Sequence, residues 1–216
     1  MTFYRNNWYY IGGIYFVLLT FIIGLWGSSH IDPVRLILIY SFMALLVHQF
    51  EEYALPGGFP AIMNTVMKKS EHRPDRYPLN KKSCFLINVP LAYAFYIIAV
   101  IFPQAIWLGL AQILFGMLQF IMHGIIVNLK MKSIYNPGLG AVAFLHIPIG
   151  IYYMWYVSSQ GLFTGGNIAG GIIAALAAAV VLVGLPLLLL ADPDSNYPFR
   201  KSEMERFNIK QNLQNR

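Results

Sequence analysis

Apolar residues run along this chain in six long blocks, and polar residues gather at the breaks between them. A membrane-spanning helix needs about 20 mostly apolar residues. The pattern predicts spans at Tyr9–Trp26, Val34–Phe50, Cys84–Phe102, Ala105–Leu129, Leu139–Val157 and Asn167–Ala191. Pro33, Pro103, Asn136-Pro137-Gly138 and Gly165-Gly166 fall at the breaks, where these residue types favour turns. The expected fold is all-α, a bundle of six transmembrane helices over residues 1–191 with a polar tail at 192–216. Arg5, the first apolar run and Gly27-Ser28-Ser29 also fit a cleaved leader in part. The length of that run and its aromatic ends, Trp8-Tyr9-Tyr10 and Trp26, predict a retained span instead.

Composition agrees with this reading. Of 216 residues, 57% are hydrophobic and only 11% charged, against about 25% charged in an average soluble domain. The net charge is +6. Its distribution matters more than its size. Arg5, six basic residues between Lys68 and Lys82, Lys130, Lys132 and five after residue 199 all fall on one side of the predicted bundle, which makes 14 of the 15. Only Arg35 falls opposite. The positive-inside rule then puts both termini in the cytoplasm. Such an excess speaks to orientation and anionic lipid, and nucleic acid is not an expected partner. The lone Cys84 excludes an intrachain disulfide. No motif fixes an oligomeric state.

Three smaller signals complete the map. Phe59, Ile62, Met63, Val66 and Met67 follow helical spacing and precede Lys68-Lys69, which predicts an amphipathic helix at about 59–69 lying on the membrane surface. Gly166, Gly170, Ala174 and Ala178 form a small-residue ridge for close helix packing within the molecule. Ser202 and Glu205 have the spacing of a capping box for a short terminal helix.

Against this apolar background, His48, Glu51 and Glu52 share one face near the cytoplasmic end of the second span. Asn88, His123 and His146 fall on the third, fourth and fifth spans, all within roughly 6–11 Å of the same border at the rise of an α-helix. Gln112, Gly116, Gln119 and His123 make a polar and small stripe that should face the bundle interior. Imidazole and carboxylate are ligands for zinc and iron. Two neighbouring acids in low-dielectric surroundings are costly to ionise together, and a divalent cation relieves that cost. His48, Glu51, Glu52, His123 and His146 are therefore the candidate metal ligands. Whichever of Glu51 and Glu52 is not bound is the candidate general base. Asn88, Gln119 and Tyr135 are candidates to support them. Taken singly, each histidine could equally be a hydrogen-bonded core residue, and the shared depth is what favours a site.

At His48-Gln49-Phe50-Glu51-Glu52 the chain resembles the HXXEE family of bacterial membrane proteins, named for that motif. Pro56-Gly57-Gly58-Phe59-Pro60, Asn88, His123 and Tyr135-Asn136-Pro137-Gly138 strengthen the resemblance, which covers roughly residues 35–150. It implies a bacterial cytoplasmic membrane location and a suspected metal or catalytic role for the motif, and it leaves the reaction open.

His-Glu-x-x-His, Gly-x-Ser-x-Gly, Walker and dinucleotide signatures are absent from the sequence. Three histidines and two glutamates are fewer than the six groups of a bundle-type di-iron centre, so one zinc ion is expected before iron. The expected function is a metal-dependent membrane hydrolase acting on a lipid or amphiphile. A di-iron-like oxidoreductase, a proton- or cation-coupled transporter and a metal-free Glu/His isomerase are the alternatives.

Overall fold

Local signals place each helix start. Asp32 accepts a hydrogen bond from the Arg35 amide (3.1 Å), with Pro33 in the first turn, a position that suits its missing N–H. Asn80 and Ser83 form a reciprocal capping box. Thr164 accepts from the Asn167 amide. The computed structural model describes residues 2–207, so Lys210 and Arg216 lie outside it. In chain order the helices are α1 (Thr2–Gly27), α2 (Pro33–Tyr53), α3 (59–67), α4 (Lys81–Ile101), α5 (Ile106–Met131), α6 (Leu139–Ser159), α7 (Gly165–Leu189) and α8 (Lys201–Met204). Six of them, all but α3 and α8, are long and apolar enough to cross a membrane. No strand occurs among the described residues. The chain reads as an integral membrane protein.

α2 is the most enclosed span, and α1 and α7 are the least. At the end away from the termini, Leu38 of α2 packs with Ala99, Leu110, Tyr153 and Val157. Midway, Leu45 meets Tyr96, Phe115 and Ala178. At the terminal end, Trp8 and Tyr9 join Tyr53, Phe59 and Phe199. The small-residue face of α7 does pack inside the molecule, but the buried residues are Gly171, Ala175 and Ala178, set against Leu110 of α5. Gly166 is exposed.

Two segments at the terminal end differ from expectation. α3 turns Phe59 to Asn64 into the protein, and Ile62 packs on Val127 and Met131 of α5. The cause is Asn64. Its amide donates to the carbonyls of Pro74 and Leu79 and accepts from the Leu79 amide, so the returning loop covers the helix. The tail folds back as well. Glu203 pairs with Lys81 at 2.8 Å in a buried ion pair, and Arg206 donates to the carbonyls of Tyr53 and Ala54 at the end of α2. In α8 it is Glu203, through the Arg200 amide at 2.6 Å, that reaches back to the helix start. The Ser202/Glu205 pair does not cap it.

Candidate metal centre

α2 crosses the middle of the bundle, so residues on its last turns meet α4, α5 and α6. His48 and Glu52, one turn apart, are both buried, and so is His123 of α5. His48 Nδ1 lies 3.1 Å from the Gly138 carbonyl oxygen, which can only accept, so this nitrogen carries the proton. His123 Nδ1 lies 2.7 Å from Asn136 Oδ1. The Asn136 NH2 group donates to the His123 carbonyl and to Asn128 Oδ1, which fixes the amide oxygen toward the imidazole. In their neutral forms both rings therefore present a bare Nε2 lone pair.

Both lone pairs face one oxygen. Glu52 Oε1 is 3.6 Å from His48 Nε2 and 3.3 Å from His123 Nε2. The three ligand atoms lie within 4.8 Å of one another. A charge-assisted N–H···O bond would be about 2.7–2.9 Å. Ligand atoms sharing a tetrahedral zinc at about 2.0–2.1 Å stand ~3.4 Å apart. Both N···O spacings lie closer to the second arrangement than to the first. With both rings neutral, the three acceptors converge as a cradle suited to a cation.

Glu51, also expected as a ligand or base, is engaged elsewhere. Its Oε1 accepts from the Tyr135 hydroxyl (2.8 Å) and the Gly140 amide (3.0 Å), and Oε2 accepts from the Ala141 amide (2.7 Å). Those amides are free donors in the first turn of α6, where a carboxylate is favoured. Burial and the bond to Glu51 push the Tyr135 phenol up, which keeps it a donor. Glu51 thus docks α2 onto the start of α6. Glu51→Gln turns an NH2 group toward these donors. We expect a loss of about 2 kcal/mol in stability, with metal content unchanged, as thermal unfolding and elemental analysis of the same sample would report.

His146 is buried, its ring 5.9 Å from that of His48. The axial depth is as expected, but its ring faces Gly116 of α5, where any Cβ would collide with Nδ1. Its nitrogens do not join the three-atom group, and Nε2 has no partner among the described residues. Asn88 donates to the Cys84 carbonyl and the Tyr53 hydroxyl, and Cys84 is not part of the three-atom group. The stripe on α5 divides. Gln112 bonds the Leu38 carbonyl, Gly116 meets His146, and Gln119 reaches the site. Asn88, His123 and His146 all fall in π-helical turns, a feature frequent at functional sites.

A chamber of about 100 Å³ opens on His48 and Glu52. Leu45, Phe115, Leu182 and Leu187 line it, with the amides of Asn88 and Gln119. α7 and α3, which the motif itself does not reach, thus supply part of its wall. Phe59 packs its ring 5.1 Å from that of His123.

The family described as "Protein of unknown function with HXXEE motif" matches residues 39–153, more than half of the chain. The chain belongs to the HXXEE family. No curated protein and no solved structure matches it. The HXXEE match spans His48, Glu51, Glu52, His123, Tyr135, Asn136 and His146, and it ends before the part of α7 that closes the chamber. In this HXXEE protein the motif's histidine and second glutamate meet at the site, while its first glutamate holds α6. Asn136, read in the sequence only as part of a turn, is the residue that orients His123. An asparagine beside a Pro-Gly turn, just past a helix bearing a buried histidine, was its one signal.

Proposed function

We propose that the chain is a metal-dependent integral membrane enzyme, a zinc-type hydrolase that acts on a lipid or other amphiphile near the cytoplasmic leaflet. One observation carries this reading. The bare Nε2 atoms of His48 and His123 converge on Glu52 Oε1. Two imidazoles and one carboxylate are the protein ligands of a known class of hydrolytic zinc site, which keeps one position open for water. Three ligand groups are too few for a di-iron centre of the bundle type, so zinc ranks above iron. The basic residues of the terminal side support a cytoplasmic placement of that end, in a bacterial inner membrane.

The chain's own groups divide the work. His48 and His123 are held in one tautomer by Gly138 and Asn136. Glu52 Oε1 completes the cradle. Glu52 Oε2, which has no hydrogen-bond partner among the described residues, is the base that takes a proton from water and returns it to the leaving atom. The apolar wall of the chamber holds the substrate's hydrocarbon and excludes bulk water. A bound Zn2+ supplies Lewis acidity and acidifies water.

Elemental analysis of the protein purified without added chelator tests the proposal. We expect one zinc per chain and hydrolysis that is lost on chelation and restored by zinc. The absence of stoichiometric metal would overturn it. Substrate uptake into proteoliposomes without chemical change would point to transport instead.

A further inference from the structure

Gln119 is the amide the fold leaves unused. It lies one helical turn before His123 on the same face of α5 and lines the chamber with His48 and Glu52. Its side chain has no hydrogen-bond partner among the described residues. The chamber's other amide is committed, since Asn88 donates to Cys84 and Tyr53 and Gln49 donates to the Asn88 carbonyl. Beyond His48, Glu52, Tyr53 and Asn88 the lining is apolar, and the half-buried Gln119 amide offers a free donor there for a ligand's acceptor oxygen. None of the lining side chains is Lys or Arg. Away from the metal cradle the lining thus offers a phosphate or carboxylate group no side-chain cation to pair with. The chamber is also small. An apolar cavity of about 150 Å³ accommodates benzene, so ~100 Å³ takes a chain of a few carbons before it must extend toward lipid.

We infer that Gln119 donates a hydrogen bond to the carbonyl oxygen of an uncharged acyl substrate, a carboxylic ester or amide whose acyl chain occupies the chamber beside Glu52. This deepens the hydrolase reading and rests on it for the chemical step. In that step a water oxygen bonds to the acyl carbon and the bond from that carbon to the leaving oxygen or nitrogen breaks. The leaving atom takes the proton that Glu52 accepted from water. Negative charge grows on the carbonyl oxygen, so the Gln119 N–H···O bond strengthens as the reaction proceeds.

Two measurements on Gln119→Met, which keeps the length of the side chain and removes the donor, test this. The first needs no metal. Methyl butyl ketone labelled at its carbonyl carbon is bound to chelator-treated protein and its carbonyl stretch recorded by infrared spectroscopy. We expect a shift to lower frequency in the wild type and none in Gln119→Met. The second is hydrolysis of para-nitrophenyl butyrate by metal-loaded protein. We expect kcat to fall about 100- to 1,000-fold, as for loss of one oxyanion donor, with zinc content unchanged. An unshifted band in the wild type, or wild-type turnover by the variant, would overturn the assignment. So would loss of zinc in Gln119→Met, since the residue would then serve the metal centre. A wild type that binds no metal but shows a Gln119-dependent band shift would leave the carbonyl assignment standing and sink the hydrolase reading alone.

Discussion

Glu52→Gln should leave a folded protein that no longer retains stoichiometric metal and no longer hydrolyses substrate. Glutamine has the shape of glutamate, so the packing of the last turns of α2 is preserved. Its chemistry at this point is opposite. The new NH2 group can donate to the bare Nε2 of His48 or His123, which lie 3.6 and 3.3 Å from Glu52 Oε1. The converging acceptors would then be satisfied without a cation, and the cradle would lose its negative charge. We expect metal affinity to fall well beyond the 10- to 100-fold typical of losing an outer partner of a ligand. Apparent stability measured without metal should change little, because an amide donor replaces an acceptor among acceptors. Elemental analysis and thermal unfolding of the chelated protein check the two halves separately. Stoichiometric metal in Glu52→Gln would remove Glu52 from the ligand set, and the three-atom centre with it. Glu51→Gln is the matched control: same motif, same substitution, and metal retained.

The contrast between these two glutamates shows where sequence reading reaches its limit. Helical spacing puts Glu51 and Glu52 both within reach of the face that carries His48, at three and four residues. It cannot tell which of them meets His123, because that depends on the neighbouring helices. The deciding groups are the free amides of Gly140 and Ala141, presented by a turn far along the chain. They draw Glu51 away and leave Glu52 to the imidazoles. His146 illustrates the same limit. Counting residues from a membrane border gives depth along a helix, and His146 is level with His48, ring to ring at 5.9 Å. Depth says nothing of rotation about the axis, and the space at Gly116 draws that ring toward α5.

The spans themselves were easy to read, since twenty apolar residues have few soluble uses. Their ends were not. Hydropathy marks the lipid-facing stretch, whereas a helix continues until a cap or a turn stops it. α2 therefore runs to Tyr53 and includes both glutamates, and α1 begins at Thr2 among polar residues. α3 misled for a different reason. Its apolar periodicity is real, but periodicity does not name the surface that covers it. The Asn64 amide, with three bonds to the loop at 74–79, turns a face suited to lipid into a face against protein. An asparagine within an apolar helical stretch, as Asn64 is, marks a face that meets polar backbone and not lipid.

Gly138→Ala should damage stability and the metal centre together. Gly138 has φ +104°, a left-handed conformation that costs an L residue about 1–2 kcal/mol. A Cβ here would also stand 2.6 Å from His123 Cε1 and 2.9 Å from His48 Cε1, wedged between the two imidazoles. Overpacking of this kind adds about 1–3 kcal/mol. The sum, roughly 2–5 kcal/mol, corresponds to a fall in thermal midpoint of about 4–20 °C for a chain of this size. Relief by backbone movement would carry the Gly138 carbonyl away from His48 Nδ1 and lose the bond that fixes its tautomer. Metal affinity should therefore drop by at least about tenfold. Gly161→Ala separates the two causes. Gly161 also has positive φ, +67°, but nothing lies within 4 Å of its added Cβ. That variant should show the backbone cost alone, about 1–2 kcal/mol, with metal binding intact. If Gly138→Ala behaves like Gly161→Ala in both measurements, the imidazoles do not close on Gly138, and the geometry that aims both Nε2 atoms at Glu52 is wrong.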